Sequence, residues 1–105
     1  MGKFELAVMS AIMRLRSDAY GRRLEDELER DLGKAPAPGQ IYVVLNRLQQ
    51  RGLISSSMGE ATPIRGGKAK KIYELSGAGV RALHDEVQGL MGLLRLTPDM
   101  KGCEP

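Results

Sequence analysis

Along the first sixteen positions, apolar side chains recur at helical spacing. Phe4, Val8, Ile12 and Leu15 follow one stripe, and Leu6, Met9 and Met13 widen it. A helix over 4–16 with so broad an apolar face predicts a central element covered on two sides. Ser17-Asp18 breaks the pattern and offers an N-cap for a second helix over 19–32. There Tyr20, Leu24, Leu28 and Leu32 stack on one face at a spacing of four. Gly21 costs about 1 kcal/mol of helix propensity relative to Ala, which predicts close packing at that point. Gly33 ends the helix as a left-handed terminator.

Lys34-Ala35-Pro36-Ala37-Pro38-Gly39 reads as a turn opening a third helix over 38–51. Ile41, Val44, Leu45 and Leu48 form its buried stripe. Gln40, Tyr42, Val43, Asn46, Arg47, Gln49 and Gln50 are left outside, a face of amides, an arginine and a tyrosine that carries no carboxylate. Gly52 caps this helix, and Leu53-Ile54 returns to the core. Two extended runs follow, 53–58 and 70–75, with Tyr73 and Leu75 on one face. The glycine-containing stretch between them is too long for a two-residue turn, so it predicts a hairpin with a long basic tip. Ser76 is the predicted N-cap of a fourth helix over 77–96. In it Val80, Leu83, Val87, Leu90 and Leu94 step by three and four, a heptad seam. Thr97-Pro98 ends it, and the residues after it read as a frayed tail.

Composition narrows the picture. A chain of 105 residues holds one small domain and no second independent core. Trp is absent and the aromatics are Phe4, Tyr20, Tyr42 and Tyr73, so the core is predicted to be aliphatic. No apolar run approaches the ~20 residues of a membrane span. The start lacks the small-residue site of a secretory signal, which makes the cytoplasm the expected compartment. The single Cys103 has no internal disulfide partner. Charge is uneven: residues 33–75 carry seven basic against two acidic side chains, while the segments on either side are each net negative by one. A positive middle third suggests a polyanion, most often nucleic acid; the bland alternative is a lysine-rich solvated loop.

Three helices, then a hairpin, then a long helix is the order of the winged helix-turn-helix, an α+β fold with a C-terminal dimerisation helix. On this reading residues 1–76 form the DNA-binding domain, 77–97 the dimerisation helix and 98–105 a flexible tail. The chemistry agrees with the topology. Gln, Asn and Arg read base edges, while Tyr and Lys hold phosphates. The third helix offers Gln40, Tyr42, Asn46 and Arg47, and the wing offers Arg65, Lys68, Lys70 and Lys71.

These pieces together resemble the PadR family of bacterial transcriptional regulators. The resemblance runs over about residues 4–90. It rests on Asp18-Ala19-Tyr20-Gly21, on Gly39-Gln40-Ile41-Tyr42 with Leu45-Asn46-Arg47-Leu48, and on Gln50-Arg51-Gly52-Leu53-Ile54. The run from Arg65 to Ser76, Arg-Gly-Gly-Lys-Ala-Lys-Lys-Ile-Tyr-Glu-Leu-Ser, with Gly79, completes it. The resemblance implies a homodimer joined through the fourth helix, repression at a palindromic operator in double-stranded DNA, and often a small-molecule effector. The first helix is expected to join the dimer contact.

Each sharp reading has a plain counterpart. Tyr42 could be a core tyrosine, and Arg47 a surface charge near the glutamates of the second helix. The seam of the fourth helix could fold back on the first within one chain. His84 is isolated, no cluster has metal-ligand spacing, and no metal or cofactor is expected. Cys103 has no neighbouring cation to activate it. Gly66-Gly67-Lys68 is not a phosphate loop, which needs Gly in place of Thr62 and Ser or Thr in place of Ala69. The six methionines fill core gaps, or those in the first and fourth helices line an adaptable ligand pocket at the dimer interface. No nucleophile–base pair or carboxylate pair points to an enzyme. The expectation is a sequence-specific DNA-binding regulator; the alternative is a winged-helix protein-interaction module without specific DNA binding.

Overall fold

The computed structural model describes residues 1–37, 39–59 and 70–96. Arg65, Lys68, Cys103 and the predicted tail lie outside the described residues. The elements run α1 (Lys3–Leu15), a 3-10 turn (Arg16–Asp18), α2 (Gly21–Leu32), α3 (Gln40–Gln50), β1 (Ile54–Met58), β2 (Lys71–Leu75) and α4 (Gly77–Leu96). This is the winged helix-turn-helix order with a C-terminal helix. No described helix is long and apolar enough to cross a membrane.

α1 is the central post. Val8, Met9 and Ala11 have no exposed surface, and Ile12 is buried with them. Packing on α1 comes from α2, α3, β2 and α4, so the broad apolar face is covered as the periodicity predicts. α2 contributes Leu24 and Leu28, and α3 contributes Ile41, Val44, Leu45 and Leu48, its predicted stripe. The core is aliphatic except for Tyr73. Gly33 closes α2 at φ 81, in the left-handed region that costs glycine nothing.

The start of α2 differs from the sequence reading. Ser17-Asp18 does not cap it; both lie in the 3-10 turn, and extended Tyr20 is the N-cap. The sheet claims this segment. The Tyr73 N–H donates to the Ala19 carbonyl at 2.8 Å, and Tyr20 bridges Ile72 in antiparallel sense. A single residue of a third strand is too short to show any alternation in sequence. The turn into it puts Arg16 at φ 51, a strained conformation for a residue with a Cβ.

β1 and β2 pair antiparallel, with Ile54 opposite Leu75 and Met58 opposite Lys71. Ser76 caps α4 as predicted: its hydroxyl accepts the Gly79 N–H at 3.0 Å and donates to the Gly52 carbonyl at 2.6 Å. Gly79 has to be glycine for contact reasons, because a Cβ there would strike the Leu53 carbonyl. One backbone crossing therefore ties the end of α3, the start of the wing and the start of α4 together.

The sequence reading missed an ionic clasp. Glu27 of α2 is buried, and Arg14 of α1 donates to it at 3.0 Å while also pairing with Asp31. Arg30 approaches Glu27 at 3.6 Å. Burial disfavours the Arg14 charge, but the hydrogen bonds and charges of Glu27 and Asp31 outweigh it and raise its pKa above the ordinary value. Arg14→Met keeps the packing and leaves the Glu27 carboxylate with weaker compensation. The expected loss is about 1–2 kcal/mol, read as a lower urea midpoint at unchanged slope; an unmoved midpoint would show the clasp to be idle.

Candidate nucleic-acid interface

α3 is held with its polar side outward. Gln40, Tyr42, Val43, Asn46 and Arg47 are all exposed while the apolar stripe is buried. Two glutamines on this helix are engaged locally. Gln40 accepts the Ala37 N–H at 3.2 Å and so closes the entry to the helix, and Gln49 donates to the Ser56 hydroxyl at 3.1 Å. Asn46 and Arg47 lie at the middle of the exposed face.

Beside α3 a groove opens between its outer face and the base of the wing. It is lined by Tyr42 and Asn46 of α3, by Lys70, Lys71 and Tyr73 of the wing, and by Tyr20, Gly21 and Arg22 at the start of α2. Among the described residues, no carboxylate lines it. Three cations, an amide and three phenols make a surface rich in donors, suited to a polyanion. The lysines are placed rather than adrift: Lys70 Nζ sits 4.1 Å from the centre of the Tyr20 ring, and Lys71 Nζ 5.8 Å from that of Tyr73. Burial, and then the neighbouring Tyr42, push the Tyr73 phenol above the ordinary tyrosine pKa, so it stays neutral and protonated.

The predicted close packing at Gly21 has a specific meaning. A Cβ there would collide with the Tyr42 hydroxyl. Tyr42 is 48% exposed, so it is not a core residue; its ring lies across the first turn of α2 with the phenol at the groove. Arg47 has a partner the sequence reading did not assign. It pairs with Glu5 of α1 at 3.5 Å, not with the glutamates of α2, and Arg51 shares the same Glu5 oxygen at 3.6 Å. Nothing in helical periodicity links residue 5 to residues 47 and 51.

The proposed seam on α4 divides. Leu83 is buried in the chain's own core, which is the fold-back reading at that one position. Val80, Val87, Leu90 and Leu94 are 38–54% exposed. Between α1 and α4 lies an almost wholly apolar groove, lined by Met13, Val80, Leu83 and Val87 with Ser10, Arg14 and His84 at its edges. Among the described residues, no group of three His, Cys, Asp or Glu side chains could hold a metal.

The order of elements and the hairpin define a winged-helix protein. The sequence profile of the PadR-like family of transcriptional regulators matches residues 8–85, and the chain belongs to that family. Its structure is similar to a PadR family regulator from Clostridium difficile, at 21% identity over 94% of this chain and 98% of that one, with a TM-score of 0.75. It is similar also to a Streptococcus transcriptional regulator, at 23% identity over 93% and 91% of the two chains, TM-score 0.74. A regulator from Thermoplasma acidophilum gives 22% identity over 96% and 90%, TM-score 0.68. No curated protein gave a significant match. The family comprises transcriptional regulators rather than enzymes; its members bind DNA and typically dimerise.

Gly21→Ala tests the placement of Tyr42. The colliding atom is the end of a side chain that can swing away, so the fold should melt within a few degrees of the wild type. Duplex binding should weaken about tenfold or more, the worth of one hydrogen bond to a charged phosphate. Unchanged affinity would remove Tyr42 from the interface.

Proposed function

We propose that the protein is a cytoplasmic, homodimeric repressor that binds a palindromic operator. The observation that carries this reading is the groove between α3 and the wing, where Lys70 and Lys71 lie beside exposed Asn46 and Arg47 and, among the described residues, no carboxylate lines the surface. On this reading α3 enters the major groove. Asn46 and Arg47 read base edges, Gln40 joins them once released from Ala37, and Tyr42 holds a phosphate. Lys70 and Lys71, with Arg65 and Lys68 at the wing, hold flanking phosphates. These contacts add affinity and salt dependence but no sequence information.

The occupant of the exposed α4 seam is a second copy of this chain. Val80, Val87, Leu90 and Leu94 form one apolar stripe at heptad spacing that continues into the α1–α4 groove. Residues 77–97 are thus the dimerisation helix and 1–76 the DNA-binding unit. Two copies of α3 then sit about 34–36 Å apart, in successive major grooves. An effector, on the same reading, is an apolar small molecule taken up beside Met13 where this groove meets the partner. Repression follows from occlusion of the operator.

Fluorescence anisotropy with a duplex selected from a random pool, against scrambled duplex in a salt series, tests the function. Palindrome-selective binding with a steep salt slope supports it; weak, sequence-blind binding overturns it. Arg47→Ala should cost about 1–3 kcal/mol on the selected site and relax the preference at one base pair. Lys70→Ala should weaken every duplex alike and lower the salt slope by about one. Leu90→Asp should yield monomers in analytical ultracentrifugation, and a variant that stays dimeric would refute the seam.

A further inference from the structure

A carboxylate on a different helix reaches two arginines, one on α3 and one at its C-terminal end. Glu5 lies in the first turn of α1 with its side chain 13% exposed. Its two oxygens do different things. Oε1 accepts the Gly2 N–H at 3.3 Å, which pins the carboxylate to the helix start. Oε2 faces Arg47 at 3.5 Å and Arg51 at 3.6 Å, and both arginines are about half exposed. A fixed, largely buried anion thus holds two half-exposed cations, Arg47 on the outer face of α3 and Arg51 just past its end.

We propose that Glu5 is a specificity-determining residue, a carboxylate clamp that withholds Arg47 and Arg51 from non-cognate DNA. A phosphate offers either arginine little beyond what Glu5 already gives it, and moving the arginine leaves the Glu5 carboxylate without its counter-charge. A correctly placed guanine offers Arg47 a planar, two-pronged acceptor that a shared carboxylate oxygen 3.5 Å away does not match. The exchange is therefore favourable on the operator and unfavourable elsewhere. The clamp also lowers the salt dependence of non-cognate binding. If the arginines stay on Glu5 they neutralise no phosphate, and if they leave, Glu5 takes up a cation from solution; either way fewer ions are released.

This inference rests on the reading of α3 as the base-contacting helix. Glu5→Gln removes the charge and keeps the acceptor for Gly2. Scrambled-duplex affinity should rise about tenfold, with a salt slope steeper by about one to two, while the selected site gains about threefold or less. Glu5→Asp keeps the charge but shortens the arm, so it should move binding in the same direction. If Glu5→Gln is too unstable to measure, Glu5→Asp alone decides. Without DNA, side-chain NMR of the Arg47 and Arg51 Nε–H groups should show increased mobility in both variants. An equal rise on both duplexes, a Glu5→Asp that behaves as wild type, or arginine mobility that does not change would each overturn the clamp. A wild-type protein with no preference between the duplexes would instead overturn the reading of α3, and the NMR result would still report whether the clamp exists.

Discussion

The burial of α1 is the constraint on which the other elements depend. Val8, Met9 and Ala11 are fully buried and Ile12 nearly so, and α2, α3, β2 and α4 all pack against this helix. Full burial of one such Val, Met or Ile side chain is worth about 1.5–3 kcal/mol, so this helix carries much of a small domain's stability. Its polar positions are spent on orientation. Glu5 near its start meets α3, and Arg14 near its end meets α2. The two helices of the helix-turn-helix are thus indexed to one post at opposite ends, and their mutual angle is held by ions as well as by packing.

An aliphatic core frees the aromatics for other work. The chain has three tyrosines, and all three line the groove between α3 and the wing. A tyrosine suits such a place because its ring packs while its hydroxyl stays available for hydrogen bonding. Tyr20 carries Lys70, Tyr73 carries Lys71, and Tyr42 lies over Gly21. Among the described residues, the lysines at the base of the wing are therefore positioned by aromatic faces rather than by carboxylates. A carboxylate partner would have fixed the lysines equally well while cancelling the potential they supply.

Much of the fold was legible because it rests on local rules. The buried stripe of α3, the glycine at the end of α2 and the Ser76 cap each follow from spacing or from a single residue type, and the structure has them all. What was not legible is long-range. Tyr20 looks like the first member of a helical stripe, yet it is extended because the sheet takes its segment: the Tyr73 N–H, more than fifty positions away, donates to the neighbouring Ala19 carbonyl, and Tyr20 bridges Ile72. The Arg14–Glu27 clasp and the Glu5 pairs join charged residues on different helices, and charge carries no periodicity that would reveal a partner. The α4 seam was legible as a pattern, but not that Leu83 would turn into its own core while Val80, Val87, Leu90 and Leu94 stayed exposed. The same heptad spacing serves both uses, and only the packing of α4 on α1 and β2 separates them.

The charge asymmetry of the sequence is sharpened by folding. The amino-terminal third is slightly acidic by count, which in a uniform molecule would offset the basic middle. In the fold its acids are turned to internal use: Glu27 and Asp31 hold Arg14, and Asp26 faces Arg22 along α2. Pairing at 3–4 Å confines their fields, because a close ion pair is a dipole whose potential falls faster with distance than that of a lone charge. The cations at the base of the wing are stacked on aromatic rings instead, and a quadrupole leaves the potential of its cation nearly intact at the distance of a phosphate. A net charge of only +3 is therefore compatible with a positive groove, since several acids of the amino-terminal third are held in ion pairs while Lys70 and Lys71 rest on aromatic rings.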